Sequence, residues 1–163
     1  MQSLFERRLP KPKATVVVLA GVGGTLAIVS LLALGNAFEV VTVMAPFGAS
    51  CVLIFGLPAA PLSQPANVIG GHLVSAIAGM LVFTLFPDQW WYPALGVGLA
   101  ISSMMAARLT HPPAGANPLV VFALEPDWWF LLVPVLCGSA LLVAIGMAFH
   151  RLSGTAYPAA QSS

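Results

Sequence analysis

Three short polar clusters interrupt an otherwise apolar chain, and they hold the residue types able to do chemistry. The first is Ser50 beside Cys51, just after Pro46-Phe47-Gly48-Ala49. The second runs from Ser63-Gln64-Pro65-Ala66-Asn67 to Gly70-Gly71-His72. The third is Arg108, Thr110 and His111, followed by Asn117. Polar groups at membrane depth are costly, and they face a bundle interior or a water-filled cavity. Carboxylates are missing from the middle of the apolar stretches, which disfavours a cation site. A helix N-terminus presents unpaired N–H groups and a positive dipole end. Two short helices starting near Pro46 and Pro112 would aim two such ends at the bundle centre. Gly48, Ala49, Gly115 and Ala116 leave backbone accessible there, and Pro113 starts the second helix. Ser50, Asn67 and Asn117 add neutral donors. His72 or His111 adds a group that changes charge near neutral pH. These ten residues form the candidate binding set, and the inventory suits a small monoanion.

Each candidate also has a structural role open to it. His111 can cap a helix, His72 and Asn117 can bond a neighbouring helix, Asn67 can serve as an N-cap, and Arg108 can anchor topology. His72, His111 and Cys51 lack metal-ligand spacing, so no metal site is expected. No nucleophile and base stand at a recognisable spacing, so no catalytic residue and no cofactor are expected. Cys51 and Cys137 lie in apolar stretches and read as small buried hydrophobes rather than a disulfide framework.

The elements that must position these residues are membrane helices. The chain has 163 residues, of which 59% are hydrophobic and 7% charged. A soluble domain carries about 25% charged residues. The lipid bilayer is therefore the main partner, with no basic patch for nucleic acid and no room for a separate soluble domain. Long apolar segments span about 14–34, 67–86, 93–109 and 129–150, with shorter ones at about 40–57 and 111–124. A 14-residue helix is roughly 21 Å long, short of the ~30 Å hydrocarbon core. The expected fold is all-α: a polytopic bundle of four long helices and two short Pro-initiated ones. Residues 1–13 read as a cytoplasmic segment, 14–152 as one transmembrane domain and 153–163 as a disordered tail.

An internal repeat organises that domain. PFGASCVLIF at 46–55 and PAGANPLVVF at 113–122 align at an offset of 67, and the same offset pairs Gly71 with Gly138 and Gly79 with Gly146. Repeat 1 covers about 14–86 and repeat 2 about 93–150. With three crossings in each, the second is inverted relative to the first, as in many transporters. Six crossings put Arg7, Arg8, Lys11, Lys13, Arg108 and Arg151 inside and Glu39, Asp88, Glu125 and Asp127 outside. Four crossings with two re-entrant segments would move Arg108 outside, so the positive-inside rule prefers six. Trp90, Trp91, Tyr92, Trp128 and Trp129 then form an outer aromatic belt. Stripes of small residues (Ala20 and Gly24; Gly71, Ser75 and Gly79; Gly98, Ser102 and Ala106) are expected to be packing faces.

On the segments His111-Pro112-Pro113-Ala114-Gly115-Ala116, Pro46-Phe47-Gly48-Ala49-Ser50 and Gln64 to His72, the chain resembles the HPP family of integral membrane proteins. Ala66 stands where the family pattern has arginine, which removes one cation an anion could meet. The resemblance implies four spanning helices, and for photosynthetic members it implies nitrite transport. The functional expectation is a channel or transporter for a small inorganic anion such as nitrite, without enzymatic activity. The alternative is a membrane scaffold or partner subunit with no flux. A pathway fits within one protomer or between copies, which leaves a homo-oligomer open. Compact loops and the lack of a transit-like leader favour a bacterial inner membrane.

Overall fold

The structure, a computed structural model, describes residues 9–86 and 89–159, and the described part is helical throughout, without strands. Expectations for Glu6, Arg7, Arg8, Asp88 and residues 160–163 lie outside the described residues. Six helices follow in order: α1 Ala14–Phe38, α2 Ala45–Cys51, α3 Pro65–Leu85, α4 Tyr92–Ala106, α5 Asn117–Leu124 and α6 Cys137–Ser153. A π-helical turn, Val52–Gly56, extends α2, and a 3₁₀ turn, Pro112–Ala116, leads into α5. Prolines set the starts. Pro46, Pro65, Pro93 and Pro118 each occupy the first or second position of their helix, where a missing N–H leaves no bond unmade.

Three stretches are long and apolar enough to cross a membrane: 14–38, 65–85 and 128–153. The fourth long helix expected at 93–109 is instead a 15-residue helix. It stops at Ala106 because the backbone turns there, with Arg108 left-handed at φ 59°. The sixth segment is not one straight helix either. Val133 is extended, at φ −132° and ψ 119°, immediately before Pro134. Proline crowds the residue before it out of the helical region, which breaks the run.

The helices run between two ends of the bundle. One end gathers Val40, Leu124, Asp127 and Trp129 around one groove, with the Tyr92 and Phe122 rings 5.3 Å apart close by. The other end joins Asn67 to the Thr110 carbonyl and Tyr157 to the Ser63 carbonyl. Arg108 and Arg151 adjoin this second end, while Glu39, Glu125 and Asp127 belong to the first. These two arginines and three carboxylates thus lie at opposite ends.

Packing relies on small residues. The Gly71–Ser75–Gly79 face of α3 is buried as expected. A Cβ on Gly71 would meet the Leu109 carbonyl oxygen at 2.8 Å, and one on Gly79 would meet Pro118 Cα at 2.9 Å. On α1 the buried face is Gly23, Ala27 and Leu31, with the Phe55 ring against Gly23. Most of the rest of α1 is exposed and apolar, as a lipid-facing helix must be. In α4 the expected stripe is corrected: Gly98, Ser102 and Ala106 face outward, and Gly96, Ala100 and Met104 are buried. Cys51 is buried but Cys137 is exposed, and both are free thiols.

The tail expected to be disordered is held down as far as Ala159. Its Tyr157 is buried, donates to the Ser63 carbonyl at 2.9 Å, and packs beside Gly146. Burial pushes the Tyr157 phenol up to about 12. The Ala159 N–H donates to Gln64 Oε1 at 2.9 Å.

Two outcomes are expected. Gly79→Ala forces a methyl group against the Pro118 backbone and lowers stability by about 1–3 kcal/mol. Gly98→Ala, with nothing within 4 Å of the new carbon, does not lower stability and raises it by up to about 1 kcal/mol. Thermal unfolding of both variants in detergent checks the pair. Tyr157→Phe removes one buried hydrogen bond and should cost about 0.5–1.5 kcal/mol in the same measurement.

Candidate functional site

Four of the ten sequence candidates meet at one point. Ser50 lies one turn into α2, His72 two turns into α3, His111 just before the Pro112–Ala116 turn, and Asn117 at the first position of α5. All four are fully buried, at 0% exposure. Ser50 Oγ is 2.9 Å from His72 Nε2 and 2.9 Å from His111 Nε2. It also lies 3.2 Å from the Pro46 carbonyl oxygen, one turn back in its own helix.

The outer ring nitrogens are held as well. His111 Nδ1 is 2.8 Å from the Leu62 carbonyl oxygen, and His72 Nδ1 is 3.2 Å from Asn117 Oδ1. Asn117 Nδ2 donates to the His72 carbonyl at 2.8 Å, which fixes the orientation of its amide. The Phe47 ring stands edge-on to His72 at 5.0 Å, and the two imidazoles are 5.1 Å apart. The unit therefore ties α2, α3, α5 and the loop before α3 into one knot of polar groups wrapped in apolar side chains.

Local sequence explains each position. Pro46 opens α2 one turn ahead of Ser50. Gly70 and Gly71 let the 109–111 strand of backbone lie against α3, with the Leu109 side chain over Gly70 and His111 over Gly71. Ser75 donates to the Ala114 carbonyl at 2.6 Å and anchors the 3₁₀ turn. The sequence reading did not name Ser75, Leu62 or Pro46 as site partners. Ser75 could have been found, since it belongs to the small-residue face of α3.

The remaining candidates divide. Asn67 is not a cap: Gln64 holds the cap position, and Asn67 Nδ2 donates to the Thr110 carbonyl at 2.9 Å, beside His111. Ala49, Pro113 and Ala116 line a groove of about 700 Å3 where the starts of the two Pro-initiated segments meet. Gly48 faces away, into a groove shared with α1. Gly115 has nothing near its Cα side and lines neither. The two helix starts thus converge, but the groove between them is lined by apolar residues such as Met44, Pro46, Pro112 and Val120. The polar side chains lie behind it, bonded to one another. Among the described residues, no group of three or more His, Cys, Asp or Glu side chains is placed to hold a metal ion.

Chemically, the arrangement offers a hydroxyl between two imidazoles, each oriented by a second hydrogen bond. Such a unit can hold or pass a proton and can donate to an acceptor. Its surroundings supply no buried carboxylate among the described residues, because Glu39, Glu125 and Asp127 are all exposed.

Comparison with known proteins agrees with this membrane architecture. A transmembrane protein of Dictyostelium discoideum is 40% identical over 124 residues, covering 71% of this chain and 40% of its own length. A second transmembrane protein of the same organism is 35% identical over 115 residues, covering 66% of this chain and 40% of its own. The chain thus spans well under half the length of these curated relatives. No solved structure matches. The HPP transmembrane region family matches residues 9–158, which takes in Ser50, His72, His111 and Asn117, and this multi-pass membrane chain belongs to that family.

Proposed function

We propose that the protein moves a small inorganic anion, with nitrite as the first candidate, across the membrane in which it is embedded. The observation that carries this reading is the Ser50–His72–His111–Asn117 unit. Lipid offers no partner to a polar side chain, so a bundle that encloses four of them uses them to bond its helices, to serve a ligand or to drive a conformational step. Two Pro-initiated segments start beside this unit and meet in one groove, the arrangement expected where a path is gated by short helices. The element order supports an inverted repeat. At the offset of 67, α2 matches the segment leading into α5, and α3 matches the segment ending in α6. The paired elements run in opposite directions between the two ends. Access to the buried unit would then come from rocking one repeat against the other.

Two other readings have an observation each. Ser50, His72 and Asn117 stand in the order nucleophile, base and orienting group, at 2.9 Å and 3.2 Å. A hydrolase needs Ser50 Oγ open to an approaching carbonyl, whereas it is fully buried and has His111 as a further partner at 2.9 Å. We therefore read the protein as no enzyme. A scaffold without flux is favoured by the internal contacts of the unit, since each polar atom of the four side chains already faces a partner within the bundle. The relatives are eukaryotic, so they lend no support to the bacterial inner membrane expected from composition.

Flux decides among these. Purified protein in liposomes should carry nitrite in a stopped-flow assay, and Asn117→Ala and Ser50→Ala should each slow it. Loss of one buried hydrogen-bond partner, at about 1–3 kcal/mol, corresponds to roughly five- to 150-fold. Folded wild-type protein that passes no nitrite, nitrate, formate or chloride would leave the scaffold reading in place.

A further inference from the structure

The hydrogen atoms of the polar unit can be counted, and the neutral count falls one short. Ser50 Oγ has one hydrogen and faces three partners: the Pro46 carbonyl oxygen, His72 Nε2 and His111 Nε2. A carbonyl only accepts, so the Leu62 carbonyl requires a hydrogen on His111 Nδ1. The Asn117 amide nitrogen donates to the His72 carbonyl, which turns Asn117 Oδ1 toward His72 Nδ1 and requires a hydrogen there too. A neutral imidazole carries one N–H. Both rings have used theirs on the outer side, so both Nε2 atoms facing Ser50 are bare. One hydroxyl hydrogen serves one of them. The other 2.9 Å contact would then set lone pair against lone pair.

One added proton removes the conflict. One ring becomes an imidazolium and donates from Nε2 to Ser50 Oγ, and the hydroxyl hydrogen turns to the other Nε2. A second proton would place two cations on rings 5.1 Å apart with no carboxylate beside them. We infer that His72, Ser50 and His111 form a binding site for a single exchangeable proton, which crosses between the rings through the serine hydroxyl. In that step the Nε2–H bond of the charged ring breaks as a new O–H bond forms. The original O–H bond breaks as the second ring takes its hydrogen, so charge and atoms balance.

Few other ionisable groups face the unit. α2 brings the neighbouring thiol of Cys51. Beyond the two histidines, α3 and the 109–117 segment bring none, and α1 has no ionisable side chain. His150 of α6 is bonded to the Ile54 carbonyl at 2.8 Å, and Tyr157 to Ser63. Tyr92 of α4 lies at the opposite end of the bundle, and Arg108 is exposed. The proton therefore arrives without a protein counter-charge, and a small monoanion beside it would complete a neutral pair. This pairing rests on the transport reading, whereas the proton site rests on the four side chains alone.

Site-resolved nitrogen NMR of ¹⁵N-histidine protein in lipid nanodiscs tests the site, with resonances assigned by replacing each histidine in turn. The expected result is uptake of one proton shared by His72 and His111 as the pH is lowered. In His111→Gln the serine hydrogen satisfies the one remaining bare nitrogen, so the unit's uptake of one proton is lost. In Ser50→Ala the two rings lose their shared signal and titrate separately. Both rings staying neutral throughout, or each taking a full proton independently of Ser50, would overturn the site. Nitrite flux in liposomes with and without an imposed pH gradient tests the pairing separately. Flux accelerated by an inward proton gradient supports it. Flux indifferent to the gradient overturns the pairing while the NMR result still stands.

Discussion

The hydrogen bonds at a single oxygen, Ser50 Oγ, set the terms for the rest of this molecule. In lipid a polar atom without a partner costs several kcal/mol, so the groups that meet at this oxygen must meet together. They come from segments 22 and 61 residues away along the chain. Satisfying them requires α2 to start at Pro46, α3 to expose glycine where His111 arrives, and the loop before α3 to turn its Leu62 carbonyl inward. Much of the fold near this end can be understood as the scaffolding of those few bonds.

Glycine and proline do the positioning because hydrophobicity has no direction in a bilayer. Apolar side chains are as comfortable against lipid as against each other, so close backbone approach supplies what the hydrophobic effect supplies in water. The contact of Gly79 with Pro118 and of Gly71 with Leu109 and His111 is where α3 grips the second half of the chain. Proline starts place short helices inside the bundle without leaving a donor stranded.

Much of this was legible in the sequence, and the limits have physical causes. Composition pointed to the membrane class, and proline positions located the starts of α2 and the α5 segment within a few residues, while the apolar run located that of α3. All four members of the polar unit were singled out as polar residues in apolar surroundings. Their mutual contacts were not, since no local pattern encodes a bond between residues 45 or 61 apart. The packing face of α4 was misassigned because the helix is apolar all round, so spacing identifies a stripe but not which way it faces. The end of α4 was missed for a related reason: an apolar run reports solvent preference, while Arg108 turns the backbone. The break before α6 had a visible signal in Pro134, inside a stretch otherwise read as one helix.

The loop between α2 and α3 is gripped from both sides by successive carbonyls. That of Leu62 points inward to His111, and that of Ser63 points outward to Tyr157. Gln64, next in line, holds the backbone of Ala159. The last described stretch of the chain is thus a drawstring whose knot lies one peptide unit from the carbonyl that holds His111. The anchoring of Tyr157 and Ala159 and the hydrogen bond that orients His111 thus share one short stretch of backbone, residues 62–64.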